Sequence, residues 1–218
     1  MKGYPGFNGS FMRPPSLHIC GLFDTEAQRR AAVHGFFRAG LMAGERCVVV
    51  VDSADPTDSI AAIGSESETT QWREAGVLEI RTPQDDQPSA NLTLDEMLDV
   101  WGGIVEMARQ SPARIGGDVA WWLHQTSRET LLRYEAELNR SMPTGLSALC
   151  LYDLRRFDPA GLLEAVRTHP KMLIGDRFLV DNRYYADGDE LPHNRSVRFD
   201  LPALHNFDKQ ALEMLSGH

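Results

Sequence analysis

The sequence predicts an α/β fold, a three-layer sandwich in which a mainly parallel central sheet lies between two layers of helices. Short apolar runs typical of fully buried strands alternate with helical patterns about five times along the chain. The chain has 218 residues, of which 42% are hydrophobic, so it can bury a substantial core. In such folds the crossovers are right-handed and ligands bind beyond the carboxyl ends of the strands.

The first predicted strand, 17–22, leads into a helix whose two ends are both marked in the sequence. Thr25 is a candidate N-cap with Gln28 three residues later, and Gly44 is placed to end the helix. Between them an apolar stripe follows helical spacing, which predicts one buried face. The stripe consists of Val33, Phe36, Phe37, Gly40 and Leu41.

The remaining elements continue the alternation and divide the chain into three parts. We predict a flexible N-terminus at 1–16, a single domain at 17–186, and a polar C-terminal tail with a short helix at 187–218. The other predicted strands are 47–51, 77–80, 114–118, 146–152 and 172–174, and the other predicted helices are 57–75, 92–109, 127–142, 158–169 and 208–215.

Composition and charge exclude several classes of protein. The 22 basic residues against 31 acidic ones give a net charge of −9, which disfavours direct binding to nucleic acid. The three widely spaced cysteines do not form the framework of a secreted disulfide-rich domain. No apolar run is long enough to span a membrane, and Gly, Pro and Asn interrupt the first sixteen residues, so we expect neither membrane insertion nor export. We therefore expect a cytoplasmic protein with no membrane partner.

The motifs of common nucleotide-binding enzymes are missing. The first strand runs into the sequence Gly-Leu-Phe-Asp-Thr-Glu at 21–26, which has no lysine and places two carboxylates where phosphates would lie. Neither G-x-G-x-x-G nor G-x-S-x-G occurs. We expect no bound nucleotide and no enzymatic activity.

Several side chains with useful chemistry share strand faces. His18 and Cys20 are two residues apart on one strand, and Cys150 and Tyr152 are two apart on another, so each pair points to one face. If these strands are neighbours, two thiols and an imidazole converge, and His169 can add a second imidazole. Zinc or another thiophilic metal would suit these ligands. The alternatives are that the thiols are buried apolar residues, or that Cys150 is a nucleophile.

Polar and aromatic residues at strand ends complete the candidate site. Asp118 follows a Gly-Gly pair at the end of a predicted strand and Trp121 comes three residues later, which suggests a ligand wall. A helix cap and a core indole explain this pair equally well. Asp153 ends the strand that carries Cys150.

Taken together, these motifs resemble the MEDS domain, a sensory domain named for methanogens, methylotrophs and the regulator DcmR. The resemblance covers about residues 17–185. It departs from the family at Leu151, where glutamine is usual, at Asp118, where glutamate is usual, and at 83–88, which replace a Tyr-Gly signature. The motifs are His18-Ile19-Cys20, Gly44-Glu45-Arg46, Arg114 with Gly117-Asp118 and Trp121, Tyr134-Glu135 with Asn139, Cys150-Leu151-Tyr152-Asp153 with Phe157, His169-Pro170, and Asn182 with Tyr185.

The resemblance implies a RecA-like or KaiC-like core without a Walker A phosphate loop, used in prokaryotic signal transduction or transcription regulation to sense small molecules such as hydrocarbon derivatives. It also implies that His18 and Cys150 take part in sensing. We expect a ligand-binding domain that acts through a protein partner, and a homodimer is compatible with that role. A thiol- or metal-dependent enzyme and a RecA-like interaction module without a ligand are the alternatives. The expected ligand contacts are His18, Cys20, Asp118, Trp121, Cys150, Tyr152, Asp153 and His169.

Overall fold

A computed structural model describes residues 15–51, 57–82, 93–120, 122, 126–174 and 178–186, and within them it contains seven strands and six helices. The predicted tail helix at 208–215 lies outside these residues. In chain order the elements are β1 (Leu17–Phe23), α1 (Glu26–Met42), β2 (Arg46–Val50), α2 (Thr57–Ile63), α3 (Glu66–Glu74), β3 (Leu78–Arg81), α4 (Leu94–Gln110), β4 (Ala113–Asp118), α5 (Arg128–Ser141), β5 (Leu146–Asp153), α6 (Pro159–Thr168), β6 (Lys171–Ile174) and β7 (Phe178–Asp181).

The strands form one sheet in the order β3-β2-β4-β5-β1-β6-β7, which is parallel except for the antiparallel pair β6-β7. Helices α1, α2 and α3 pack on one face, and α4, α5 and α6 pack on the other. The predicted three-layer α/β sandwich is therefore confirmed. The sequence did not predict β7.

The start of α1 is built as the sequence predicts. Thr25 is the N-cap, and its hydroxyl accepts a hydrogen bond from the backbone N–H of Gln28. Gly44 follows the helix with φ +76°, a left-handed conformation that glycine adopts without strain.

The predicted single helix at 57–75 is wrong, because the structure has two helices there. The first ends at Ile63. Ser65 caps the second, accepting from the Glu68 backbone N–H while the Glu68 carboxylate accepts from the Ser65 backbone N–H. A capping box of this kind starts a new helix, because it satisfies N–H groups that a continuous helix would have paired internally.

Strand β1 lies between β5 and β6, and this position brings the candidate site together. Cys20 is opposite Cys150 on one side and Met172 on the other. The helix after β1 leads towards β2, whereas the helix after β5 leads across β1 to β6, so the strand order reverses here. None of the described helices is both long and apolar enough to cross a lipid bilayer.

Candidate functional site

Four side chains with metal-binding or acid–base chemistry meet between the sheet and helices α5 and α6. The Nε2 atom of His18 lies 3.3 Å from Oε2 of Glu135, and Sγ of Cys150 lies 3.5 Å from His18 Nε2 and 3.8 Å from Glu135 Oε2. The Nε2 atom of His169 is 3.6 Å from the same Glu135 oxygen. We call these four residues, His18, Glu135, Cys150 and His169, the His–Cys–Glu cluster.

The secondary structure explains why they meet. His18 on β1 and Cys150 on β5 are on adjacent parallel strands and point to the face covered by α5 and α6. Glu135 lies on the buried side of α5. His169 is the C-cap of α6 and is separated by one residue from the start of β6, which pairs with β1.

The two imidazoles are held by hydrogen bonds at their outer nitrogens. The amide nitrogen of Asn139 donates to the carbonyl oxygens of Glu135 and Thr168, so its Oδ1, 3.0 Å from His18 Nδ1, accepts a hydrogen bond from the N–H at that ring nitrogen. His169 Nδ1 donates to the Ala165 carbonyl oxygen at 2.7 Å. Both histidines therefore direct Nε2 into the cluster.

His169 is fully buried, and its Nε2 atom has no hydrogen-bond partner among the described residues. Burial and the neighbouring His18, whose ring centroid is 4.0 Å away, lower the pKa of His169 to about 3. The His169 ring is therefore neutral at physiological pH, and its Nε2 carries a lone pair that faces the cluster.

Glu135 is 2% exposed and acts as the centre of the cluster. Burial alone would raise its pKa, but hydrogen bonding and electrostatic attraction to His18, together with the hydroxyl of Tyr152, outweigh burial and lower it. The Tyr152 hydroxyl donates to Oε1 at 2.9 Å, which leaves Oε2 facing the histidines and Cys150.

The thiols lack the environment of a catalytic nucleophile. Burial and the Glu135 charge raise the pKa of Cys150 well above its ordinary value, and the same two causes raise that of Cys20. Cys47 lies in the opposite core, and burial raises its pKa to about 12. None of these thiols is a thiolate at neutral pH in the absence of a cation.

A pocket of about 70 Å³ adjoins the cluster between the sheet and helices α4 and α5. One water molecule requires roughly 10–15 Å³, so several waters or a small organic molecule fit in this space. Val50, Arg81 and Asp118, the last residues of β2, β3 and β4, line one part, and Cys150 and Glu135 line another. Its apolar walls include Trp101, Ile115, Trp122, Tyr134 and Leu138.

Gly117 lines this pocket in the middle of the sheet, paired with Val50 on β2 and with Cys150 on β5. A Cβ atom at this position would lie 1.8 Å from the Val50 carbonyl oxygen. The glycine is therefore required for the close approach of β2 and β4.

The structure brings some of the predicted site residues together and separates others. His18, Cys150 and His169 belong to the cluster, Tyr152 supports it, and Cys20 is buried beside Cys150 on the same face. Two predicted carboxylates lie outside the cluster: Asp118 pairs with Arg29 at 2.6 Å and also lines the pocket, and Asp153 pairs with Arg155 at 2.7 Å. The predicted Trp121 lies outside the described residues.

Glu135 and Asn139 belong to the motifs that carry the family resemblance, but the sequence does not predict them as site residues. The sequence does contain a pattern that points to Glu135, because this residue falls four residues after Leu131 and directly after Tyr134, on the apolar side of the predicted helix. A carboxylate on a core-facing side is costly unless it has partners there. Asn139 is one turn further along the same helix.

The family is identified by a match to the MEDS model, the methanogen/methylotroph, DcmR sensory domain, over residues 17–170. The match spans most of the chain, so the chain belongs to the MEDS family, a family of sensory domains. Among curated protein sequences, none matches the chain significantly.

Solved structures show which fold the family uses here. The flagellar accessory protein FlaH from Methanocaldococcus jannaschii is similar with a TM-score of 0.56 at 9% identity, over 73% of this chain and 71% of that chain. A KaiC-like protein from Pyrococcus horikoshii OT3 is similar with a TM-score of 0.53 at 16% identity, over 73% and 72%. The fold is therefore RecA/KaiC-like, as predicted.

Proposed function

We propose that this chain is a sensory domain that binds a small, partly apolar molecule in the pocket beside the His–Cys–Glu cluster. One observation carries the proposal: aromatic and aliphatic walls enclose a space whose polar groups are few and include Cys150 and Glu135. Apolar walls with a small number of placed polar groups are the usual composition of a small-molecule site. Membership in a family of sensory domains supports the same function.

The size and lining of the pocket suggest the class of ligand. A space of about 70 Å³ suits a molecule of a few heavy atoms. Trp101 and Trp122 offer apolar surface, while a thiol and a carboxylate can contact one polar or polarisable atom. Short alcohols, thiols and halocarbons have this combination.

We infer that binding, not catalysis, is the role of the pocket. The raised pKa of Cys150 argues against a thiolate nucleophile in the metal-free chain. An interaction module without a ligand would have side chains filling the strand ends, and the pocket at the ends of β2, β3 and β4 favours ligand binding over that alternative.

The output of the sensor is proposed to pass through another protein. The net charge of −9 disfavours direct contact with a nucleic-acid backbone, so regulation of transcription or of a signalling pathway would require a protein partner or a second copy of this chain.

Binding is tested by thermal-shift measurements and native mass spectrometry of the metal-stripped chain with a panel of short alcohols, thiols and halocarbons. We expect at least one class to raise the melting temperature of the wild-type chain. The variant Val100→Trp should abolish the shift, because Val100 is a partly exposed pocket residue on α4 and an indole there fills the space.

Two cysteine variants provide the matched comparison. Cys150→Ala should reduce the shift, whereas Cys47→Ala, which changes a buried thiol in the opposite core, should leave it unchanged. The proposal is wrong if no class binds, or if binding is the same in Val100→Trp and Cys150→Ala as in the wild type.

A further inference from the structure

We propose that His18, Glu135, Cys150 and His169 form a binding site for one divalent cation of the zinc type. Their four ligand atoms lie within 4.8 Å of one another. The inference goes beyond the proposed sensing of an organic ligand and does not depend on it, because it rests on the cluster and not on the pocket.

Four of the six separations between the ligand atoms are close to those of tetrahedral coordination. Zinc bonds of about 2.0–2.3 Å at tetrahedral angles place neighbouring ligand atoms about 3.3–3.7 Å apart. The separations from Glu135 Oε2 are 3.3 Å to His18 Nε2, 3.6 Å to His169 Nε2 and 3.8 Å to Cys150 Sγ. The separation between His18 Nε2 and Cys150 Sγ is 3.5 Å. The remaining two separations, from His169 Nε2 to His18 Nε2 and to Cys150 Sγ, are no more than 4.8 Å, so a movement of His169 Nε2 by up to about 1 Å would complete the geometry.

The hydrogen bonds outside the cluster prepare the ligand atoms for a metal. A zinc-bound histidine commonly donates its second ring N–H to a carbonyl or carboxylate, which fixes the tautomer and the ring orientation. His18 Nδ1 has this arrangement with the side-chain oxygen of Asn139, and His169 Nδ1 has it with the Ala165 carbonyl oxygen. Tyr152 orients Glu135 in the same way by donating to Oε1.

The unpartnered nitrogen of His169 is the independent observation that points to a ligand. This atom is fully buried, and because the ring proton lies on Nδ1, which donates to the Ala165 carbonyl oxygen, Nε2 is the nitrogen with the lone pair. It lies 3.6 Å from Oε2 of Glu135, another electron-rich atom. An electropositive group between them relieves the repulsion and satisfies the nitrogen. A metal ion does this for both histidines, the carboxylate and the thiol together.

Charge balance favours a dication. When the metal binds, the Cys150 thiol loses its proton to solvent and becomes a thiolate. One thiolate and one carboxylate then neutralise the two positive charges, so the buried site carries no net charge. Two imidazoles, a thiolate and a carboxylate suit zinc, whereas magnesium and calcium prefer oxygen ligands alone.

An entry path to the site is present. Cys150 is partly exposed, and both Cys150 and Glu135 line the pocket, so the pocket offers a route by which an ion can approach the cluster. A bound metal would then lie directly behind the inner wall of the pocket.

Cobalt(II) is the probe for this site, because it replaces zinc and absorbs light. The full chain is stripped with a chelator and titrated with cobalt(II). We expect one cobalt per chain, the intense visible bands of tetrahedral coordination and a near-ultraviolet thiolate-to-cobalt charge-transfer band. Added zinc should abolish all of these bands.

Cysteine variants assign the thiolate. The charge-transfer band should be lost in Cys150→Ser. It should persist in the double variant Cys20→Ser/Cys47→Ser, which retains Cys150 as its only cysteine and decides the assignment even if Cys150→Ser does not fold. Tyr152→Phe should fold and bind cobalt about 10–100-fold more weakly, because the hydrogen bond that orients Glu135 is gone.

The inference is overturned if the stripped wild-type chain binds no stoichiometric cobalt, if the spectrum is octahedral, or if the double variant lacks the charge-transfer band. A failure of the metal-site proposal is distinguishable from a failure of the sensory proposal, since the organic ligands are tested on the metal-stripped chain.

Discussion

A carboxylate inside a hydrophobic core is costly unless other groups stabilise its charge, and Glu135 shows how this chain meets that requirement. Its two oxygens face different partners: Oε1 accepts from the Tyr152 hydroxyl, and Oε2 faces both histidines and Cys150. Removing one partner of such a group leaves the others unsatisfied. The four residues of the cluster therefore act as a unit.

Single glycines also have specific roles, and Gly117 gives the sharpest prediction at this scale. Gly117→Ala should lower the free energy of unfolding by about 3 kcal/mol, the upper end of the range for adding a methyl group to a packed core. The reason is the added Cβ, which would lie 1.8 Å from the Val50 carbonyl oxygen. Urea denaturation measures the change.

The matched control is Gly103→Ala on the exposed side of α4, where an added Cβ meets no atom within 4 Å. It should raise the free energy of unfolding by about 0.5–1 kcal/mol, because alanine favours helices more than glycine does. Changes of the same sign at both glycines would contradict the packing explanation.

Among the elements, α3 owes its start to the capping box of Ser65 and Glu68. The Glu68 carboxylate accepts hydrogen bonds from the Ser65 backbone and hydroxyl, and it also pairs with Arg38 on α1 at 2.8 Å. The Glu68 side chain thus both caps the start of α3 and links this helix to α1 by an ion pair.

The pH dependence of stability tests this role. Arg38 and Ser65 lower the pKa of Glu68 from 4.5 to about 2. The contribution of the ionised Glu68 to the free energy of unfolding is present above about pH 4.5 and is lost as the pH falls towards 2. The reason is that this carboxylate binds a proton less readily in the folded chain than in the unfolded chain. Glu68→Gln should therefore be less stable at neutral pH and lose stability less steeply between these pH values, as measured by thermal melts across the range.

Glu66→Gln is the control, because Glu66 is an exposed carboxylate in the first turn of the same helix. It should keep the wild-type slope below pH 4.5. If stability fell equally less steeply with pH in both variants, general charge near the helix N-terminus, and not the capping box, would determine the pH dependence.

At the scale of the whole molecule, an ion pair joins the helical layer of α1 and α2 to the carboxyl end of β4. The guanidinium of Arg29 contacts both oxygens of Asp118 and donates to the Ser59 hydroxyl at 2.9 Å. The side chains of Arg29 and Asp118 are only 12% and 9% exposed. The contact lies close to the switch in strand order, where the sequence has no phosphate-binding lysine.

Arg29→Ala should lower the free energy of unfolding by about 3 kcal/mol, since it leaves a mostly buried carboxylate without its partner. Chemical denaturation measures this loss. Arg30→Ala is the control, because Arg30 pairs with Glu26 and Asp58 on the surface and is 46% exposed. Surface ion pairs contribute about 1 kcal/mol or less to the free energy of unfolding. An equal loss in Arg29→Ala and Arg30→Ala would therefore contradict a special role for the buried pair.

The sequence by itself determined the alternation of strands and helices, the caps at Thr25 and Gly44, and the strand faces of His18 and Cys150. These features are local, since they depend on the period of a strand or helix and on residues at its ends. The same reasoning failed at 57–75, where Ser65 and Glu68 begin a second helix inside one continuous pattern.

Only the tertiary structure decided that β1 is inserted between β5 and β6. This insertion brings His18 within 3.5 Å of Cys150, 132 residues away in sequence, and places His169 and Glu135 against them. Strand order depends on how all six described helices cover the two faces of the sheet, and the periodicity of a single segment carries no information about that packing.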